Sequence, residues 1–536
     1  MSDLRSFARS SISAIFVAVI LVNACSDNGV PAPAERDYES ELTNLNPRFL
    51  VTEDEAYAWS KAKHDNIPAL TGSPEWHAWM ADLEQRFESY GVIDMSHNSW
   101  EFERWETSDD STDWSLTSGG DPVNVAFYGA YSGTTGPEGI TAQLVYYDHD
   151  DPPGSINGKI VVISPKPHPE HPYPDDYRDY YTYVDYEYRS DTDTYPPLFE
   201  YVDPAVSYTF DIYYQLGQEL HQIAIAGGAV GLVIAYDMSF ARTAGLYAFP
   251  VPEQYEVPTL TLDRLVGARV VEDARAGKTA TLRLEARIAT DEVYQLIGYL
   301  PGRDYGTDKD EQILMVTHTD GPSITQDNGS LGILAAVRYF SNIPQENRPR
   351  TLALYLDCRH YIPGMEPAFP EVTWFKRHPK MREPVVAFLH MEHLGEMEYK
   401  EVGEEILPTG VAEHSILWTR NDPLLIEAAI QAVKQYGASR VQVSVPERPG
   451  IHGAQQEPWW GVGAFAQGAL ASIEYWGEPG WDLPGFGLGG WLGNYWSTQS
   501  GIEAWNRDLF IAQANTMTRL TGVLMTVDLD AVKSEE

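Results

Sequence analysis

Gln312-Ile-Leu-Met-Val-Thr-His318-Thr-Asp320, followed by Asp327-Asn328-Gly329-Ser330, is the stretch whose reading decides the fold. An apolar run from 312 to 317 ends on an imidazole and a carboxylate. Nine residues after His318, a second carboxylate opens an Asn-Gly turn before the helical pattern at 330–342. A buried strand feeding a helix is the repeating unit of an α/β sheet, and ligands in such sheets bind beyond the carboxyl ends of the strands. An imidazole and a carboxylate emerging from adjacent strand ends can share one divalent cation. Asp320 is placed to hold the His318 tautomer from behind. The same residues also suit a strand-end hydrogen bond and a turn with a helix cap.

The pattern continues outward. Strands are expected at 293–300, 351–356, 385–391 and 471–476, with helices at 423–436 and 506–526. This alternation predicts a sheet with helices on both faces. The strand 385–391 runs into Glu392, and an ionised carboxylate at the end of an apolar strand is costly unless it is paired or bound to a cation. Upstream, 53–63 and 73–90 read as helices. In the second, Trp76, Trp79, Leu83 and Phe87 recur at three- and four-residue steps, Ser73 is the expected N-cap, Pro74 the first helical residue and Gly91 the stop.

Residues 125–290 form a β-rich insertion, with strands near 158–163, 230–236, 257–260 and 277–286. Its Tyr/Asp/Pro-rich stretch 167–214 reads as a long surface excursion. The chain of 536 residues carries a net charge of −41, which excludes nucleic acids and anionic membrane surfaces as partners. Residues 1–25 read as an export signal. Arg5 and Arg9 precede an apolar run at 12–22 too short to span a bilayer, and Val22-Asn23-Ala24-Cys25 resembles a lipobox. Lipid on Cys25 would be the sole membrane contact, and Ser26 favours the outer membrane. Residues 26–48 read as a tether. With Cys25 lipidated, Cys358 is left without a disulfide partner and reads as a buried thiol.

These residues carry a resemblance. The order His318-x-Asp320, Asp327-Asn328-Gly329 opening a helix, then His390-Met391-Glu392-His393-Leu394-Gly395, resembles the co-catalytic zinc aminopeptidases of the aminopeptidase S and glutamate carboxypeptidase superfamily. The runs 223–234 and 257–259 resemble the protease-associated domain that one branch carries as an insertion. The implied fold is α/β, an aminopeptidase-like mixed sheet flanked by helices with an inserted β-rich protease-associated domain. Peptidase-like parts would span 49–124 and 291–530 around the insertion at 125–290.

In that family two zinc ions share the aspartate that Asp327 matches. The resemblance assigns His318, Asp327 and Glu392 to one ion. The other ion's private ligands are missing: Asp357-Cys358-Arg359-His360-Tyr361 stands where a Glu-Glu pair is expected, and Trp496 where a late histidine is expected. The expectation is therefore one zinc rather than two. His360 becomes the candidate proton relay, and Arg359 the partner of an oxyanion or of a substrate carboxylate. Asp320 supports the site, while His452 and Trp496 are candidate contacts to a peptide or small-molecule substrate. Arg359 also suits an ordinary ion pair, and His452 an ordinary loop. The leading reading is an exported hydrolase of amide or related carbonyl bonds. A lyase or cyclase acting on a small molecule, and a catalytically silent binding protein, stay open beside it.

Overall fold

The computed structural model describes residues 36–108, 111–165, 184–190, 217–247, 256–358, 381, 383–419, 422–446, 483–490, 497–529 and 531–532. All elements below belong to the compact unit Tyr38–Glu536. Helices α1 (Tyr38–Thr43), α2 (Glu53–His64) and α3 (Pro74–Ser89) precede the long strand β1 (Ile93–Glu106). Next come β2 (Trp114–Ser118), β3 (Asp121–Val123), β4 (Phe127–Tyr128), β5 (Ile140–Tyr147), β6 (Ile160–Ile163) and β7 (Val184–Arg189). They lead to α4 (Gly217–Ala226), β8 (Gly231–Ala235), α5 (Phe240–Thr243), β9 (Thr259–Leu262), α6 (Arg264–Arg275) and β10 (Thr279–Leu284). A second long strand, β11 (Arg287–Leu300), opens the remainder: β12 (Gln312–His318), α7 (Gly329–Ser341), β13 (Thr351–Asp357) and β14 (Val385–Met391). After the hairpin β15 (Met397–Val402) and β16 (Glu405–Ala412) come β17 (Ser415–Thr419), α8 (Pro423–Tyr436), β18 (Val441–Pro446), β19 (Gly485–Gly490) and α9 (Arg507–Thr526).

Local signals place the first helices. Ser73 Oγ accepts the Trp76 amide at 3.0 Å, Pro74 fills the first position, and Trp76, Trp79, Leu83 and Phe87 are fully buried, as their spacing predicts. In α2, Thr52 and Glu55 form a reciprocal capping box, and Arg338 of α7 donates to Glu55 at 2.8 Å.

Nine strands build the larger sheet in the order β1-β11-β13-β12-β14-β19-β17-β18-β7. Its centre, β13-β12-β14-β19, is parallel, and both flanks turn antiparallel. Both faces of this centre are buried, which is why β12, β13 and β14 read as near-continuous apolar runs, whereas β19 is rich in glycine. Ile313, Met315, Leu354 and Leu389 join the main core, while Leu314, Val316, Tyr355 and Phe388 form a separate cluster on the opposite face. The chain is thus a mixed α/β structure of the expected class.

A second, eight-stranded sheet runs β3-β2-β10-β5-β6-β8-β9-β4. Its strands begin at Trp114, ahead of 125, because the long β1–β11 ladder leaves the larger sheet and its chain continues directly into β2 and β10. Trp105 of β1 packs on Tyr128 of β4 at 5.5 Å, joining the two sheets through aromatic rings. The stretch 167–214 is more than an excursion, since its residues 184–189 form β7 and pair with β18 at the edge of the larger sheet. The strand expected at 471–476 lies outside the described residues. Among the described residues no helix is long and apolar enough to cross a membrane.

His221 on α4 is buried with Nδ1 3.5 Å from Thr259 Oγ1, and its Nε2 meets no hydrogen-bond partner among the described residues. Burial pushes its pKa from 6.5 down to about 4. The unfolded chain takes up this proton first. The neutral imidazole's contribution is therefore complete above pH 6.5 and is lost as pH falls toward 4. His221→Phe should remove about 3 kcal/mol of acid destabilisation over that window, at 1.36 kcal/mol per pKa unit. Urea unfolding of both proteins at a series of pH values checks this.

Candidate metal centre

Four buried carboxylates, Asp320, Asp327, Asp357 and Glu392, gather at the carboxyl end of the parallel centre. β12 and β13 pair in register, so His318 lies beside Asp357. β14 delivers Glu392 one residue past its end. Thr317 Oγ1 donates to the Met391 carbonyl at 2.7 Å, tying the ends of β12 and β14 together. Gly329 is required here: a Cβ would collide with that carbonyl and with Thr317 Oγ1, so only glycine lets α7 begin this close to the sheet.

Asn328 makes no side-chain cap to its helix. Its amide instead clasps Leu394, donating to the carbonyl at 2.6 Å and accepting the amide at 2.8 Å. This clasp, with the Gly395 amide donating to Gln513 at 2.7 Å, holds the turn in which His393 adopts φ 55. That left-handed conformation is unusual for a side-chain-bearing residue and turns the imidazole back toward Glu392.

Three imidazoles surround the Glu392 carboxylate. His318 Nε2 lies 3.1 Å from Oε2, His393 Nε2 3.8 Å from the same oxygen, and His390 Nε2 3.7 Å from Oε1. Each ring's Nδ1 donates to a backbone carbonyl: His318 to Asp320 at 2.9 Å, His393 to Gly490 at 3.0 Å, His390 to Val316 at 3.1 Å. A carbonyl only accepts, so Nδ1 carries the hydrogen and Nε2 of each neutral ring presents a lone pair. Lone pairs facing a carboxylate call for positive charge between them, either a proton or a metal ion.

The titration properties agree. Burial alone would raise Glu392, but the charges and hydrogen bonds of His393, His318 and His390 hold it well below the usual carboxylate range. Burial alone would lower His318, yet its bond to Glu392 keeps it above the usual imidazole value. Burial pushes His393 down to about 4.

The ligand atoms of His318, Glu392 and His393 lie within 4.8 Å of one another. Two imidazoles and a carboxylate, each imidazole oriented by a backbone acceptor, are the donor set of an open zinc site. The residues fit one such ion. The structure brings His318 and Glu392 together, and His393 completes the group. Asp327 sits elsewhere in the cluster, in an ion pair with Lys63 in which both side chains are fully buried. Asp320 supports His318 through its backbone carbonyl rather than its carboxylate, which stands 3.9 Å from Nδ1 and accepts from Thr71 Oγ1 at 2.8 Å. Asp357 accepts from Gln295 at 2.8 Å, and Cys358 is buried beside it. Arg359, His360, His452, Trp496 and Cys25 lie outside the described residues.

No protein-family model matches the sequence, and no curated relative does. The fold has solved counterparts. A peptidase M28 precursor from Shewanella amazonensis SB2B aligns with TM-score 0.58 at 14% identity, over 91% of this chain and 95% of that one. BSAP, a zinc aminopeptidase from Bacillus subtilis, aligns with TM-score 0.54 at 14% identity, over 90% and 96%. An aminopeptidase from Aneurinibacillus sp. strain AM-1 aligns with TM-score 0.51 at 13% identity, over 90% and 95%. The fold is therefore aminopeptidase-like.

Gly329→Ala should destabilise the chain by about 3 kcal/mol, the upper part of the range for an overpacked core. Gly136→Ala, where a Cβ meets nothing within 4 Å, should stay within about 0.5 kcal/mol of the parent. Denaturant midpoints of the two variants check the contrast.

Proposed function

We propose that the chain is an exported, metal-dependent hydrolase that opens an amide or related carbonyl bond at a single-zinc centre. The observation that carries this reading is the convergence of His318, Glu392 and His393 at the carboxyl ends of parallel strands in an aminopeptidase-like fold. These three residues would hold the ion. When bound, zinc supplies Lewis acidity that polarises a carbonyl and acidifies a water molecule.

The chain's own part is preorganisation. The Asp320 and Gly490 carbonyls fix both ring tautomers, so each Nε2 needs no reorientation. Glu392 stays ionised, and the burial of all three donors strengthens every charge interaction among them. His360 is assigned the proton transfer, and Arg359 the oxyanion or substrate carboxylate; both follow directly on Cys358 in the sequence. His452 and Trp496 are assigned to the substrate, a peptide or small molecule. The absence of a Glu-Glu pair after β13 argues against the two-ion aminopeptidase reaction. The second sheet, with its resemblance to a protease-associated domain, would shape access. The 22–25 motif supports lipidation at Cys25 and an outer-membrane address.

Metal analysis of the purified chain tests this. The parent should carry one zinc per chain, and His318→Ala and His393→Ala should each weaken zinc binding more than about 100-fold, beyond the range for an outer-shell partner. Turnover on a panel of peptide, amide and ester substrates should fall with the zinc. A folded parent that holds no zinc and turns over nothing overturns the proposal and leaves a binding protein.

A further inference from the structure

Lys63 is the feature that this function does not use. Its side chain leaves the last turn of α2 and is fully buried, reaching residues 260 positions later in the chain. Nζ donates to the Ser323 carbonyl at 2.9 Å, pairs with Asp327 Oδ1, and stands 5.8 Å from the Trp79 ring centroid. Both charges of the pair are withdrawn from water. Each is tolerated only because the other is present.

Its position gives the pair a meaning. Asp327 precedes α7 by two residues, in the same buried cluster as the His318/Glu392/His393 group, yet outside it. The resemblance gives the residue at this position to both ions of a two-zinc centre. In this chain its carboxylate already faces an ammonium that is covalently part of the chain. A second divalent ion at Asp327 would meet the like charge of the ammonium at contact distance, in a medium that screens little. It would also have to displace a side chain packed against Trp79. The residues here therefore do not fit a second ion.

We propose that Lys63 is a built-in cation that stands in for the second metal at Asp327, so that the centre carries one exchangeable ion and Asp327 keeps its charge without metal. The count of one rests on the function proposed above; the role of Lys63 does not. A zinc-bound centre would then lose one ion to a chelator while the Asp327 side of the cluster stays neutralised.

The test is zinc content by native mass spectrometry, with melting temperature as a second readout, on the full chain with and without excess zinc. Lys63→Glu removes the ammonium and puts a second carboxylate beside Asp327, so that only a divalent ion can neutralise the pair. This variant should bind one more zinc than the parent, and its melting temperature should rise with zinc by more than the parent's. Lys63→Met/Asp327→Asn, a neutral pair of similar size, should fold and take up no extra ion. If Lys63→Glu gains no ion and no zinc-dependent stability, the inference is overturned. A parent that binds two ions in this cluster overturns it as well. His318→Ala separates the two ideas: loss of the parent's ion in that variant speaks to the proposed function, whereas the extra ion of Lys63→Glu speaks to Lys63.

Discussion

A carboxyl group cannot rest in a protein core without positive charge or hydrogen-bond donors against it, and the carboxyl end of this sheet concentrates four buried ones. Each has a different answer. Glu392 has imidazoles, Asp327 has an ammonium, Asp357 has the Gln295 amide, and Asp320 has the Thr71 hydroxyl. Much of the surrounding architecture follows from supplying these partners. α2 must pack against the sheet to deliver Lys63, and the chain before α3 must pass the end of β12 to deliver Thr71. The Asp327-Asn328-Gly329 turn must lie against the end of β14 so that Asn328 can fix the loop carrying His393.

These demands explain the division of labour between elements. The parallel strands, buried on both faces, contribute rigidity, and His390 of β14 is the interior side chain that reaches Glu392. The other polar groups come from the last residues of the strands and from those just past their ends. Donors of the metal group arise from β12 and from the turn after β14, whose bonds to α7 and α9 hold it as firmly as a strand. A site built this way is set before any ligand arrives.

The sequence made some of this legible and hid the rest for physical reasons. α3 could be read because its cap, its proline and its apolar spacing are all local. His318 and Glu392 could be read because each follows an unbroken apolar strand. His393 could not, because its role depends on a left-handed backbone held by Asn328, 66 positions away from the residue that Asn328 clasps. Lys63 looked like one more polar residue near a helix end, since nothing in its neighbourhood signals a buried acid far along the chain. β19, Gly485-Phe-Gly-Leu-Gly-Gly490, was hidden by its composition. Its glycines weaken the strand signal, yet a Cβ at Gly485 would strike the Phe388 carbonyl and one at Gly490 would crowd His393.

The strand β7 has a consequence for how this molecule can be altered. Between β6 and β8, neighbours in the second sheet, the chain travels to the far edge of the first sheet and hydrogen-bonds there to β18. The two sheets are thus laced by one continuous thread, rather than joined as a cassette that could be cut out and exchanged. Excising the second sheet would strip β18 of its neighbour and bare a row of amides and carbonyls ready to recruit another chain. In this fold, the apparent accessory is also the hem of the main sheet.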